Sequence, residues 1–240
     1  MATCFDLTGR VAVVIGGTSG IGHAIAVGLK DHGATVIPTG RRAVNLPCDV
    51  TSHNSVASFQ QTVLAEYGRT DILVYAAGYT FRKPTTAVTD HEWNSLLDTD
   101  LTGALRCFQA FYHALKASGR GRIINIASLG SHLAFQEVAA YCAAKTALLS
   151  LTRSLAVEWA KDGISVNAIA PGIFPTELNR HLISGTPRGQ ELMARTPMAR
   201  FGRPEELVGT AVLLASDAAS YLTGQCIAVD GGYLASGVNQ

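Results

Sequence analysis

"VAVVIGGTSGIG", residues 11–22, decides the fold. Its first five residues are apolar and mostly β-branched, and the run ends in glycine, as a strand buried on both faces reads. Ile21, Ile25 and Leu29 follow at helical spacing. Strand, glycine turn and helix in that order are the start of a βαβ unit. Gly16, Gly20 and Gly22 let the backbone turn tightly and approach a pyrophosphate closely, and the helix N-terminus offers free N–H groups to an anion. Thr18 and Ser19 add hydroxyl donors, and Ile21 completes the set. Close packing alone would also use glycines, but a strand before and a helix after are the context that nucleotide binding requires.

The same alternation runs outward along the chain. "GATVIPTG" (33–40), "TDILVYAAG" (70–78), "GRIINIAS" (121–128), "ISVNAIAPG" (164–172) and "CIAVDGG" (226–232) read as further strands. Helical patterns intervene at 91–117, 138–161 and 204–215. The expected architecture is α/β: one Rossmann-like domain over residues 1–240, a doubly wound parallel sheet with helices on both faces. One junction is too short. After Thr39 the next candidate strand is "NLPCDV" (45–50), whereas a parallel crossover needs a dozen or more residues. A crossover helix near residues 41–48 is therefore missing, and that edge is shortened or reached by an extended return.

Composition removes other classes. Of 240 residues 48% are hydrophobic and 15% charged, as in a packed globule, and a net charge of +1 gives no attraction to nucleic acid or an anionic membrane. Cys4, Cys48, Cys107, Cys142 and Cys226 are scattered, odd in number and without a CxxC pair, against a disulfide framework or a metal site. No signal peptide pattern opens the chain, and no apolar run approaches the ~18 residues of a membrane span. A soluble, cytoplasmic protein is expected.

The second strand ends "PTGRR". An acid there would accept from the 2′-hydroxyl of NAD; Gly40 with Arg41 and Arg42 instead suits the 2′-phosphate of NADP(H), with NAD(H) possible and a merely solvated basic turn the alternative. Further on, "YCAAK" (141–145) puts Tyr141 and Lys145 one turn apart on a helix face. A phenol ionises near 10 and an ammonium near 10.4, so neither alone exchanges protons at neutral pH. A fixed cation beside a phenol favours the phenolate and makes a usable acid and base. Taken alone, the pair could also be chance on an amphipathic helix.

Together, the glycine turn, Ser128 in "INIAS", and Tyr141 with Lys145 a dozen residues beyond it resemble the short-chain dehydrogenase/reductase family over essentially the whole chain. The resemblance implies an oxidoreductase for a small-molecule carbonyl or alcohol. Tyr141 would be the general acid and base, Ser128 would hold the substrate oxygen, and Lys145 would lower the phenol pKa and grip the nicotinamide ribose. Asp49 and Val50 would meet the adenine, Ala76 and Gly78 the adjacent ribose region, and Gly172, Phe174 and Thr176 the nicotinamide. Three positions depart from the family. Ile15 replaces a threonine, "YAAG" (75–78) replaces two asparagines that brace the sheet, and Asp100 replaces an asparagine that holds a water in the proton path. Asp100 would then favour charged Lys145 and shift the pH optimum, or simply face its helix.

The substrate is less determined. The "RKP" loop, "RTPMARFGRPEEL" and "VDGG" resemble the gluconate 5-dehydrogenase and sugar-acid branch, and Arg82 or Lys83 could receive a carboxylate. His132 and Gln136, and Glu177, Arg180 and His181 on a lid after Pro171, supply polar groups to the same pocket. A 3-ketoacyl-carrier-protein reductase with Arg82, Lys83, Arg120 and Arg122 as docking face, a broad ketone reductase, or a non-catalytic cofactor sensor share the pattern. The family resemblance also implies a homotetramer, with the tail "LASGVNQ" reaching a neighbour.

Overall fold

Val11–Ile15 (β1) is buried at every residue. Branched side chains with few χ1 choices pack well on a pleated surface and cost little to order there. The structure, a computed structural model, describes residues 4–177 and 179–237. Helix α1 (Gly20–Asp31) follows the glycine turn and buries Ile25 and Leu29. The remaining strands are β2 (Thr35–Thr39), β3 (Ile72–Tyr75), β4 (Gly121–Ile126), β5 (Ile164–Pro171) and β6 (Cys226–Val229). All pair in parallel, in the order β2-β1-β3-β4-β5-β6. Strand order reverses between β1 and β3, so a crevice opens over their C-terminal ends, where α/β sheets bind ligands.

Alternate residues of β1 feed two core layers. Val11, Val13 and Ile15 pack with Phe59, Phe108, Phe111 and Leu148, while Ala12 and Val14 pack with Ile25, Leu29, Leu207 and Val212. Helices α2 (His53–Tyr67), α4 (Gly103–Ala117) and α5 (Ala139–Trp159) supply the first layer, and α1 and α8 (Val208–Ala215) the second.

The strand expected at 45–50 does not form. Pro47 has no N–H for a ladder, and the loop bonds locally: Cys48 N–H donates to the Gly40 carbonyl at 3.2 Å, and Asp49 N–H to Ser55 Oγ at 2.9 Å. Strand and helix are both missing at this edge, as a shortened sheet requires. Cys48 and Val50 dip into the core, and Ser52 caps α2, which becomes the crossover from β2 to β3.

The helical pattern at 91–117 also differs from a single helix. Helix α3 (Asp90–Leu97) is started by a capping box in which Thr89 Oγ1 accepts from Glu92 N–H and the Glu92 carboxylate accepts from Thr89 N–H. It then passes through one π-helical turn, Asp98–Thr102, before α4. Short helices α6 (Arg180–Ile183) and α7 (Pro187–Ala194) lie in the segment between β5 and α8. Among the described residues no helix is long and apolar enough to cross a membrane, and no three His, Cys, Asp or Glu side chains gather as a metal site.

Candidate active site

At the crevice the glycine turn leaves no room for side chains. A Cβ on Gly16 would lie 2.6 Å from the Ala77 nitrogen, and one on Gly22 would lie 2.2 Å from the Gly16 carbonyl oxygen. Gly16 and Gly20 also have φ of +79 and +54, a region that glycine enters without penalty. Ser19 stands at the N-cap of α1 but makes no side-chain cap bond, and Thr18, Ser19 and Gly20 are exposed with Ile21 half-buried. The first-turn N–H groups therefore present an anion cradle. Gly40 closes on this turn, since its Cβ would be 3.1 Å from Thr18 Oγ1, and Arg41 and Arg42 follow it, both exposed.

Other expected cofactor residues divide. Ala76 lies against Gly16 and Gly22, and Thr176 reaches across the chain to Gly20, its Cγ2 3.4 Å from where a Cβ would stand. Thr176 N–H donates to Asn179 Oδ1 at 2.8 Å. Gly172 closes β5 against Asp230. Asp49 turns its carboxylate back on Thr51, accepting from N–H at 3.0 Å and from Oγ1 at 2.7 Å. Those bonds, then Arg41 and Arg106, hold it below the usual carboxylate value. The side chains of Val50 and Phe174 lie in the core, Phe174 against Gly202, so neither presents an exposed face.

The expected catalytic residues sit on neighbouring elements. Ser128, two residues past the end of β4, is extended, and its Oγ accepts from Gly130 N–H at 3.0 Å. A Cβ on Gly130 would lie 2.8 Å from Cys142 Sγ, which seats the serine turn on α5 beside Tyr141. Lys145, 4% exposed, places Nζ 5.6 Å from the Tyr141 ring centroid and donates to the Ile126 carbonyl at 3.1 Å. Asp100, fully buried in the π turn, faces that ammonium with Oδ2 at 3.4 Å. Its Oδ1 accepts from Tyr79 N–H at 3.0 Å, whereas Oδ2 makes no hydrogen bond. The Asp100–Lys145 contact is thus coulombic, at a distance longer than a charge-assisted bond.

Burial pushes the Asp100 carboxyl above its ordinary value, against the pull of Lys145 and the Tyr79 N–H. The same burial pulls Lys145 down, yet the Asp100 charge and Tyr141 outweigh it and hold the ammonium above its ordinary value. Gly78 makes this packing possible, because a Cβ there would sit 2.7 Å from Asp100 Oδ2 and 3.2 Å from Lys145 Nζ.

Tyr75, where the family has an asparagine brace, supplies a support of another kind. Fully buried and edge-on to Phe108 at 5.9 Å, its hydroxyl donates to the Thr99 carbonyl at 2.5 Å and ties β3 to the turn that carries Asp100. The loop after Gly78 then builds an apolar wall in which Tyr79, Phe81 and Trp93 pack with Ala140, Ala144 and Tyr141. Arg82 and Lys83 are each already paired: Arg82 Nε meets Glu137 at 2.5 Å, and Lys83 binds both Glu92 oxygens at 2.8 Å. His132, Gln136, Glu177, Arg180 and His181 are exposed. Val238–Gln240 of the tail lie outside the described residues.

Comparison with known proteins agrees with this geometry. The family model described as "Enoyl-(Acyl carrier protein) reductase" matches residues 15–234. The 2-dehydro-3-deoxy-D-gluconate 5-dehydrogenase of Dickeya dadantii is 36% identical, over 96% of this chain and 98% of its own length. Gluconate 5-dehydrogenase of Gluconobacter oxydans is 35% identical over 97% of each chain. The crystal structure of a gluconate 5-dehydrogenase from Burkholderia cenocepacia in complex with NADP and tartrate shares the fold with a TM-score of 0.93, at 36% identity over 97% of this chain and 98% of that one. With this turn, this sheet and these relatives along its full length, the chain belongs to the short-chain dehydrogenase/reductase family of oxidoreductases.

Proposed function

We propose that this chain interconverts a secondary alcohol and a ketone with NADP(H), its substrate being a sugar acid or keto sugar acid. The observation that carries the reading is the buried Lys145 beside Tyr141, its Nζ 5.6 Å from the ring centroid. The residues present fit the cofactor: Gly16, Thr18, Ser19, Gly20 and Ile21 form the uncapped cradle for a pyrophosphate, and exposed Arg41 and Arg42 beside it suit a 2′-phosphate. Ala76, Gly78, Gly172 and Thr176 would border the rest of the molecule. When bound, that cofactor supplies or accepts the hydride.

The chain's own residues handle the oxygen and its proton. In reduction the Tyr141 hydroxyl donates its proton to the carbonyl oxygen, and in oxidation the phenolate takes it back. Ser128 Oγ already accepts from Gly130 N–H, so its own O–H remains to donate to the substrate oxygen. Lys145 offsets the charge left on the phenolate, and Asp100 positions Lys145 from behind. The sugar-acid assignment is supported by the relatives' activities. A carrier-docking face is not favoured, because Lys83, Arg120 and Arg122 each face a carboxylate that belongs to another part of the fold, which leaves Arg82 alone.

The test is oxidation of NADPH and of NADH with a panel of keto sugar acids, ketoacyl thioesters and simple ketones. Keto sugar acids with NADPH should give the highest kcat/KM. Binding of NADPH without turnover of any of these would overturn the catalytic reading, and a preference for thioesters would overturn the substrate class.

A further inference from the structure

Glu137 has a left-handed backbone, φ +66, although it is not glycine. Such residues are held only where the surroundings impose the conformation, and they gather at ligand sites. Glu137 lies four residues before Tyr141, just ahead of α5, and its carbonyl accepts from Lys83 N–H at 2.8 Å. Its carboxylate holds Arg82 Nε at 2.5 Å, and Arg82 follows Phe81, which packs into the same wall as Tyr141. This ion pair therefore stands at the edge of the reacting site.

The two neighbouring cations are held differently. Lys83 takes both oxygens of Glu92, and Glu92 also accepts from Thr89 N–H and Oγ1. Lys83 first, then Thr89, pull that carboxyl down to about 2, so this pair belongs to the start of α3. Arg82 and Glu137 have side chains 40% and 26% exposed, and Glu137 is outside any capping box. A partly exposed ion pair of this kind is worth less than about tenfold in an equilibrium.

We propose that Glu137 is a built-in stand-in for the substrate carboxylate: it occupies Arg82 until the carboxylate of an acid substrate displaces it, and so sets how far acids are preferred over neutral polyols. The proposal rests on the sugar-acid reading above. A guanidinium recognises a carboxylate through a planar fork, and the displaced Glu137 carboxylate, already 26% exposed, turns to solvent, where water screens the charge that the acid brings. A neutral polyol leaves the pair closed, whereas an acid trades one carboxylate for another.

The measurement is the ratio of kcat/KM for a keto sugar acid to that for the matching neutral ketose. It should rise roughly two- to tenfold in Glu137→Gln, mainly through KM of the acid. Glu137→Gly, which accepts the left-handed backbone without strain, should do the same, which guards against a folding artefact. Arg82→Gln should lower the ratio at least tenfold. An unchanged ratio in both the Glu137 and Arg82 variants would overturn the proposal. If the wild type turns over only neutral compounds and Glu137→Gln gains the acid, the stand-in role holds and the native sugar-acid reading falls. If neither protein accepts an acid, both fall.

Discussion

At the scale of single residues, Asp100 and Lys145 share one buried space. Tyr141 and Lys145 are legible because one helix sets their spacing. Asp100, the partner of Lys145, is legible only through the family resemblance, because it comes from a distant segment that the folded chain brings to 3.4 Å. Both groups link to pH. The Asp100 carboxyl is raised in the folded chain above its ordinary 3.8, so its contribution to stability is most favourable below that value and falls as pH rises through the folded pKa. Lys145 is also raised, above its ordinary 10.5, so its contribution is complete below that value and lost as pH rises through the folded pKa. In Asp100→Asn the acid-side slope should vanish and the alkaline limb of both stability and kcat should move to lower pH. The cost at neutral pH should be up to about 3 kcal/mol. Denaturant unfolding and rate profiles across the pH range check this; profiles that superpose on the wild type would remove Asp100 from the site.

At the element scale, the placement of Asp100 depends on a feature that periodicity conceals. Residues 91–117 carry an unbroken helical pattern, and the extra residue of the π turn at Asp98–Thr102 leaves no compositional mark. Likewise "NLPCDV" alternates well enough to pass for a strand, but Pro47 and the local bonds of Cys48 and Asp49 keep it a loop. Helix α2 carries a weak periodic signal, because only Val56, Phe59 and Val63 are buried along its length. Tyr75, read in the sequence as the loss of a brace, is a brace of another kind. Tyr75→Phe should cost about 1–2 kcal/mol, since it leaves the Thr99 carbonyl without its donor. It should also lower kcat more than it raises KM, because the turn that aims Asp100 at Lys145 loosens. Chemical denaturation with parallel kinetics would show it; a loss of stability with unaltered kcat would mean that the turn is only structural.

At the scale of the molecule, all six strands were legible because each is a short apolar run bounded by glycine, serine or proline. The sheet order puts the glycine turn, the end of β2 and the start of the loop after Gly78 around one crevice. The missing unit after β2 leaves Arg41 and Arg42 exposed at the sheet edge, where charge can choose the cofactor. Replacing both with alanine should weaken NADPH by roughly tenfold to several hundredfold and NADH far less, as isothermal titration would report. The ion pairs between loops were not legible, since nothing local links Arg82 to Glu137. The central claim is that Tyr141 moves the proton, and the most direct measurement compares wild type with Tyr141→Phe in the reduction of a keto sugar acid by NADPH. The account expects kcat to fall by roughly a hundred- to ten-thousandfold while NADPH affinity and melting temperature hold. Turnover within tenfold of the wild type would contradict it.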